Sequence, residues 1–203
     1  MKKRSPRFDK AAEIFKEHGG ILRTSEALSA GIHPDTLYAM RDFEVVEVVS
    51  RGVFRLADGT LLSNPDLIPI AKRIPEAVIC LISALAFHDI TTQIPHELHI
   101  ALKRGAAEPR LDYPPIKTYR FTGAAFTEGI ENHKIDGVSV RTYNLEKTIA
   151  DCFKFRNRVG LDTAVEAVRL YRERKTVRVD DLMHYAEICR VKKIIRPYLE
   201  VLL

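Results

Sequence analysis

The first sixty residues place apolar side chains at helical spacing and interrupt them with glycines. Pro6 suits the first turn of a helix, because its missing N–H would have no partner there. The apolar residues that follow fall on one helical face, at Phe8, Ala11, Ala12 and Phe15. Gly19-Gly20 predicts the end of this helix, and Ile21-Leu22 predicts a short extended segment.

Two further helices are predicted behind this segment. Thr24 is a good N-cap for the second helix. The apolar face and the end of that helix are expected at Ala27, Leu28, Ala30 and Gly31. His33-Pro34-Asp35 opens the third helix, with Pro34 at its first position and Asp35 favourably placed in the helix dipole. The third helix should bury Leu37 and Met40. Two short helices joined by a glycine-containing turn predict a helix-turn-helix.

A β-hairpin is predicted directly after the third helix. Val45–Val49 and Val53–Leu56 are rich in β-branched residues, and Ser50-Arg51-Gly52 separates them with a glycine at the turn. A hairpin in this position is the wing of a winged helix-turn-helix domain, which we place at residues 1–60. Arg51 at its tip would reach backbone phosphate or the minor groove of DNA.

The remainder of the chain, residues 61–203, predicts a separate domain. Asp58-Gly59 and Ser63-Asn64-Pro65 mark the boundary. Helices are predicted at 65–73, 76–88, 145–155, 161–172, 179–190 and 193–203, and strands at 97–103, 116–121, 130–136 and 138–143. Asp136-Gly137 is a strong hairpin signal between the last two strands. The predicted fold class is α+β, with an N-terminal winged helix-turn-helix followed by a mixed α+β domain.

Composition narrows the class of protein. The 203 residues carry a formal net charge of +5, which favours an anionic partner without naming one. The basic N-terminus lacks the apolar run of a secretory signal, and no segment is apolar for long enough to span a bilayer. Cys80, Cys152 and Cys189 lie far apart and are expected to be buried free thiols. These features predict a cytoplasmic protein with no membrane partner.

The sequence offers no enzymatic motif. It has no glycine-rich phosphate loop, no G-x-S-x-G and no paired-carboxylate signature. His96 and His99 have the wrong spacing for a zinc helix. His88 is interpreted as a cation at a helix C-terminus, and Glu146, Lys147 and Asp151 as a solvated helix face. We therefore expect no catalysis, no metal and no cofactor.

The candidate DNA contacts fall into three groups. The outward residues of the third helix are Thr36, Tyr38 and Arg41, with His33 and Asp35 near its N-terminus. Arg23 and Arg51 are candidates for phosphate or minor-groove contacts. The basic arm of Lys2, Lys3, Arg4 and Arg7 is either a further contact or a solubilising tail. Basic stretches at 103–110 and 169–196 are either solvated faces or a second surface for DNA, RNA or a protein.

Several segments resemble the AbiEi-type antitoxins. GILRTSEALSAGIHPDTLYAMR at 20–41 and RGVFRL at 51–56 resemble the N-terminal domain of that family, with Phe54 for the usual tyrosine. The resemblance continues with LISALAFHDIT at 81–91, HIAL at 99–102 and YNLEKTIADC at 143–152. It covers the chain from about residue 19 to about residue 171.

The resemblance implies a function that composition and periodicity do not reach. Members of the family are non-enzymatic antitoxins of two-gene bacterial systems, linked to phage defence. Their winged domain binds inverted repeats in the operon's own promoter, so two copies are expected on one operator. Their C-terminal domain counteracts a nucleotidyltransferase-like toxin, directly or indirectly. The alternatives are a regulator whose winged region only docks on a protein, and one whose C-terminal domain senses a small ligand.

Overall fold

The computed structural model describes residues 6–59 and 62–202. These residues form two compact units. The first unit runs up to Pro75 and also includes Asp112–Pro114 and Lys134–Val140. The second unit consists of Glu76–Leu111, Pro115–His133 and the chain from Arg141 onward. A single boundary at residue 60 was predicted, whereas each unit is built from several segments of the chain.

The first unit contains the predicted series of short helices and strands. Its elements are α1 (Pro6–Glu17), β1 (Ile21–Arg23), α2 (Thr24–Ser29), α3 (Pro34–Asp42), β2 (Val46–Ser50), β3 (Val53–Leu56) and α4 (Leu67–Arg73). The strands form an antiparallel sheet in the order β1-β3-β2. The unit is therefore a helix-turn-helix, α2 and α3, followed directly by the β2–β3 hairpin.

Two apolar clusters hold the first unit together. Phe15, Leu37 and Met40 bring α1 and α3 into one cluster, and all three side chains are fully buried. The second cluster joins residues far apart in the chain, namely Ile21, Val53, Ile68 and Val138. Residues from beyond 130 thus complete the core under the β1–β3 edge.

The second unit is built around a mixed sheet. The elements after α4 are β4 (Val78–Ile79), α5 (Leu81–Phe87), β5 (Leu98–Lys103), β6 (Ile116–Phe121), α6 (Ala124–Thr127), β7 (Ile130–Ile135), β8 (Val138–Tyr143), α7 (Leu145–Lys154), α8 (Arg156–Val159), α9 (Leu161–Arg172), α10 (Val179–Ile188) and α11 (Lys192–Leu202). The end of β7 and the start of β8, within 134–140, belong to the first unit. The strand order is β6-β5-β4-β8-β7, in which β4 pairs antiparallel with β5 and parallel with β8. Strands grouped in one sheet, with most helices after them, confirm the predicted α+β class.

The predicted hairpin at Asp136-Gly137 is confirmed. Both residues have positive φ, 47° and 79°, which is the backbone of a type I′ turn between β7 and β8. The predicted helix at 76–88 is wrong in its first half. Val78 and Ile79 form β4 instead, because they pair with Ala101 and Ile100 of β5.

Two details of α2 also differ from the prediction. Arg23, not Thr24, is the N-cap residue, and its backbone N–H donates to a carboxylate oxygen of Glu26 at 2.8 Å. Leu28 is 39% exposed, so the buried face of α2 rests on Ala27.

The expected solvated face on α7 is wrong. Glu146, Lys147 and Asp151 are fully buried, because α7 packs against α5, α9 and α10. The Lys147 ammonium lies 4.1 Å from the centre of the Tyr143 ring. The three cysteines are buried free thiols, as predicted.

The expected cation at His88 is also wrong. The ring is partly buried at the end of α5, and its Nε2 lies 2.7 Å from the backbone oxygen of Tyr143. Burial lowers the pKa of His88, against the raising effect of this hydrogen bond. The neutral imidazole is therefore favoured.

Candidate nucleic-acid interface

The turn between α2 and α3 sets the direction of α3. Gly31 has a φ of 93°, which lets the chain leave α2 sharply. His33 is the N-cap residue of α3, and its Nδ1 accepts a hydrogen bond from the backbone N–H of Asp35 at 3.3 Å. Pro34 occupies the first helical position, where its lack of an N–H costs nothing. His33 and Asp35 are both exposed at this end of the helix.

The outer face of α3 carries an aromatic and a basic side chain in contact. Tyr38 is 42% exposed, and the Arg41 guanidinium lies 5.3 Å from the centre of its ring. Arg41 also donates to Asp42 Oδ1, from Nη2 at 2.7 Å and from Nε at 2.9 Å. Thr36 is half-buried on the same helix. The guanidinium is thus presented outward and already carries a carboxylate partner.

The β2–β3 hairpin lies beside this face. The Tyr38 ring meets the Phe54 ring of β3 edge-on, with 6.2 Å between the ring centres. Arg51 is exposed in the hairpin turn, followed by Gly52 with a φ of 74°. Within the described residues the Arg51 guanidinium forms no ion pair or side-chain hydrogen bond. None of its five donors has a partner among residues 6–59 and 62–202, so they are available there for a phosphate.

Two acidic residues near these side chains, Glu47 and Glu26, are paired with bases. Arg55 forms an ion pair with Glu47 across the hairpin. Lys72 Nζ lies 3.0 Å from Glu26 Oε2. Partial burial would raise the pKa of Glu26, but the Arg23 N–H and the Lys72 ammonium outweigh it, and the pKa lies below its usual value. These pairs reduce the negative potential that a DNA backbone would meet.

The predicted contacts are only partly brought together. Tyr38 and Arg41 share one face of α3, and Arg51 lies in the neighbouring hairpin turn. Arg23 is half-buried at the start of α2. Arg7 is exposed on α1, with its guanidinium 5.4 Å from the centre of the Phe8 ring. Lys2, Lys3 and Arg4 lie outside the described residues.

Lys72 and Arg73 were not predicted as part of this site. Both were expected in a helix of the C-terminal domain, but α4 packs on β1 and β3 in the first unit. Arg73 Nη1 donates a hydrogen bond to the backbone oxygen of Arg51. No linear pattern indicates this contact, since it depends on how α4 packs on the sheet.

Three cations of the basic C-terminal stretch have carboxylate partners. Arg178 pairs with the buried Glu146, Lys192 with Glu187 and Arg196 with Glu200. Among residues 6–59 and 62–202, no group of three or more histidines, cysteines or carboxylates could hold a metal ion. No helix in the same ranges has the length and apolarity to cross a membrane.

A helix-turn-helix with an outward tyrosine and arginine beside a basic hairpin turn is typical of DNA-binding transcriptional regulators. The comparison with family models agrees, because residues 9–57 match the model described as "Transcriptional regulator, AbiEi antitoxin". The resemblance to AbiEi antitoxins is therefore confirmed over this segment, and the match supports a DNA-binding antitoxin regulator.

A solved structure extends the likeness in fold to nearly the whole chain. It is the crystal structure of the RV2827C protein from Mycobacterium tuberculosis, which is similar with a TM-score of 0.55 at 13% identity. The alignment covers 98% of this chain and 82% of that one. At this identity the likeness concerns the fold alone. The search of curated proteins finds no match.

Proposed function

We propose that this protein is a transcriptional repressor and the antitoxin of a bacterial toxin–antitoxin operon. In this proposal α3 enters the major groove of the operon's own promoter and the β2–β3 hairpin acts as the wing on the DNA backbone. Two copies occupy one operator with inverted repeats, because each helix-turn-helix covers one half-site. The second unit counteracts a nucleotidyltransferase-like toxin.

The observation that carries the proposal is the outward pair of Tyr38 and Arg41 beside the turn that holds Arg51. An arginine on a recognition helix can read guanine O6 and N7 with its two parallel donors. A second arginine on a neighbouring hairpin can hold a phosphate and fix the register of the helix. The family-model match covers the residues that form both features.

The primary experiment measures binding of the purified protein to the DNA upstream of its own gene and to a scrambled duplex, across a salt series. We expect the upstream DNA to bind roughly a thousandfold more tightly, at the low end of specific regulators. Equal and weak binding of both duplexes, lost together as salt rises, would overturn the repressor function.

Matched variants separate base recognition from charge. Arg41→Ala should reduce the preference for the upstream DNA, whereas Arg196→Ala should not. Arg196 is also an exposed arginine in an ion pair with a nearby carboxylate, but it lies on α11 of the second unit. An equal loss in the two variants would indicate a general effect of charge.

The antitoxin part needs its own test. The gene that adjoins this one is expressed alone and together with this protein, and growth of the host is recorded. We expect a nucleotidyltransferase-like product to arrest growth when alone and to be tolerated when co-expressed. Arrest that persists on co-expression would remove the antitoxin role and leave the repressor role intact.

A second candidate is protein docking by the first unit. Phe43 is 57% exposed and Val48 is 51% exposed, and a protein partner would cover these apolar side chains. Co-purification of an operon-encoded partner with no affinity for DNA would favour this function. In that case Val48→Lys should abolish co-purification, because it places a charge in the apolar contact.

A further inference from the structure

The last turn of α4 contacts both predicted phosphate-contact regions of the first unit. Arg73 Nη1 donates to the backbone oxygen of Arg51 in the hairpin turn. Lys72 Nζ donates to Glu26 at 3.0 Å, and the same Glu26 oxygen accepts the backbone N–H of Arg23 at 2.8 Å. Neither contact is local, since 22 residues separate Arg73 from Arg51 and 46 separate Lys72 from Glu26.

The hairpin turn is held from two sides. On one side the backbone N–H of Thr24 donates to the oxygen of Gly52 at 2.9 Å. On the other side is the guanidinium of Arg73, and a Cβ atom on Gly52 would lie 3.5 Å from Thr24 Oγ1 and 3.7 Å from Arg73 Nη1. Two successive carbonyl groups of the turn, of Arg51 and Gly52, are thus bound by α4 and α2. A turn held in this way presents its side chain in a restricted set of directions.

We propose that Arg73 and Lys72 are positioning residues of the DNA interface. Arg73 fixes the turn that carries Arg51, and Lys72 fixes the N-terminus of α2 at Arg23 through Glu26. Neither is assigned as a primary contact, because Arg73 donates to a carbonyl of the turn itself and the Lys72 side chain is only 15% exposed beside Glu26. The gain is preorganisation, since a contact that is already ordered loses less conformational entropy when it binds. This inference rests on the proposed DNA binding.

The positioning role makes Arg51 and Arg73 interdependent. Arg51→Ala removes a phosphate contact, so it should weaken binding to any duplex and reduce the salt slope by about one. Arg73→Ala should weaken binding about tenfold at low salt with the same reduced slope, because Arg51 is no longer held in place. The double variant should be no weaker than Arg51→Ala, since Arg73 acts through Arg51.

A double-mutant cycle of Arg51→Ala and Arg73→Ala, measured with the upstream duplex, tests whether Arg73 acts through Arg51. Additive losses for Arg51→Ala and Arg73→Ala, each with its own reduction in salt slope, would show that Arg73 contacts DNA itself and would overturn the inference. Unchanged affinity of Arg73→Ala would overturn it as well. Arg73→Lys, which keeps a cationic donor, should restore most of the affinity.

Hydrogen exchange of the free protein provides a readout that needs no DNA. In Arg73→Ala the amides of Arg51–Val53 should exchange faster than in wild type, while those of α3 stay unchanged. Faster exchange throughout the first unit would indicate a merely structural role and overturn the inference. If Arg73→Ala does not fold, the same measurement is made on Arg73→Gln, which retains one donor group.

Failure of the proposed DNA binding and failure of the positioning role give different results. Loss of the proposed function appears as wild-type protein that does not bind the upstream DNA. Failure of the positioning role appears as wild-type protein that binds, with Arg73 variants that bind equally or additively. Lys72→Met is the matched test of the other contact, and it should raise exchange of the Arg23 amide, which donates to Glu26, while the amides of Arg51–Val53 stay unchanged.

Discussion

The Lys147 ammonium and the Asp151 carboxylate lie 2.5 Å apart on α7, and neither side chain has exposed surface. The carboxylate also accepts a hydrogen bond from the Cys189 thiol at 3.1 Å. Burial raises the pKa of Asp151, although Lys147 and Cys189 oppose this.

Breaking this pair should destabilise the second unit severely. Lys147→Met leaves a buried carboxylate without its cation, and we expect a loss of about 3–5 kcal/mol in the free energy of unfolding. The double variant Lys147→Met/Asp151→Leu should recover most of this loss, because it removes both charges. Urea unfolding measures all three proteins.

The control is an exposed pair with the same spacing. Arg196 and Glu200 lie 2.8 Å apart on α11 at positions i and i+4, with both side chains exposed. Arg196→Met should change the free energy of unfolding by less than about 1 kcal/mol. Equal effects at the two pairs would contradict the argument from burial.

The stability of the second unit should fall in mild acid because of His99. Burial, with a smaller contribution from Lys117, lowers the pKa of this ring to about 4, from 6.5 for an ordinary histidine. Between these values the unfolded chain takes up a proton that the folded chain does not. The stabilisation that comes from the neutral His99 ring is therefore complete above pH 6.5 and is lost as the pH falls to about 4. The free energy of unfolding should fall by at most about 3 kcal/mol over this range.

The measurement is urea unfolding from pH 7 to pH 4 for wild type and His99→Phe. The variant should show a weaker dependence, and it gives up no hydrogen bond at Nδ1, which has no partner in the described part of the chain. His96→Gln is the control, because His96 is exposed. If His99→Phe has the same pH dependence as wild type, His99 is not responsible for it.

Asp42 should weaken DNA binding by competing for Arg41. Both hydrogen bonds of the Arg41 guanidinium go to Asp42 Oδ1. Arg41→Ala should reduce specific binding by about 1–3 kcal/mol if the arginine reads a guanine. Asp42→Asn should strengthen binding several-fold, since it removes a negative charge next to the DNA. Fluorescence anisotropy with the upstream duplex measures both, and weaker binding by Asp42→Asn would show that the carboxylate orients Arg41 productively.

Gly137→Ala should destabilise the first unit, although it lies in the second half of the chain. Gly137 has a φ of 79°, and a Cβ there would lie 3.2 Å from the Cα of Gly19. We expect a loss of about 2–3 kcal/mol from backbone strain and crowding together. Gly20 has nearly the same φ, 80°, but no atom lies within 4 Å of a Cβ added there. Gly20→Ala should therefore lower the free energy of unfolding by only about 1 kcal/mol.

Hydrogen exchange of residues 53–56 reports the difference between the two variants. Faster exchange of β3 in Gly137→Ala than in Gly20→Ala is the expected result. The reverse order would indicate that the approach of Gly19 and Gly137 carries no energetic weight.

Helices and strands were predicted well where their apolar residues follow a clear period within the segment itself. The alternation in 116–121 and 138–143 predicted β6 and β8 with their observed bounds, and α9 was predicted with its observed bounds as well. The two-residue strand β4 was missed, because Val78-Ile79 lies within an apolar run that has no period of its own. Its strand structure comes from pairing with β5 and β8.

Burial of charge could not be predicted from α7 alone. Glu146 accepts hydrogen bonds from Tyr171 and Arg178, which lie 25 and 32 residues further along the chain. A linear pattern shows two acids and a lysine on one helix, which usually means an exposed face. The positions of Lys72 and Arg73 were missed for the same reason, since their partners are set by tertiary packing.

Residues 134–140 belong to the first unit, although they follow much of the second unit in the chain. This arrangement affects the order of folding during synthesis. Val138 belongs to the cluster of Ile21, Val53 and Ile68, so the core beneath β1 and β3 is incomplete while the nascent chain is shorter. An N-terminal domain usually folds as soon as it emerges from the ribosome. Here the chain must be translated at least as far as Val138 before this core is complete, so strands β4 to β7 are made before the first unit can finish folding.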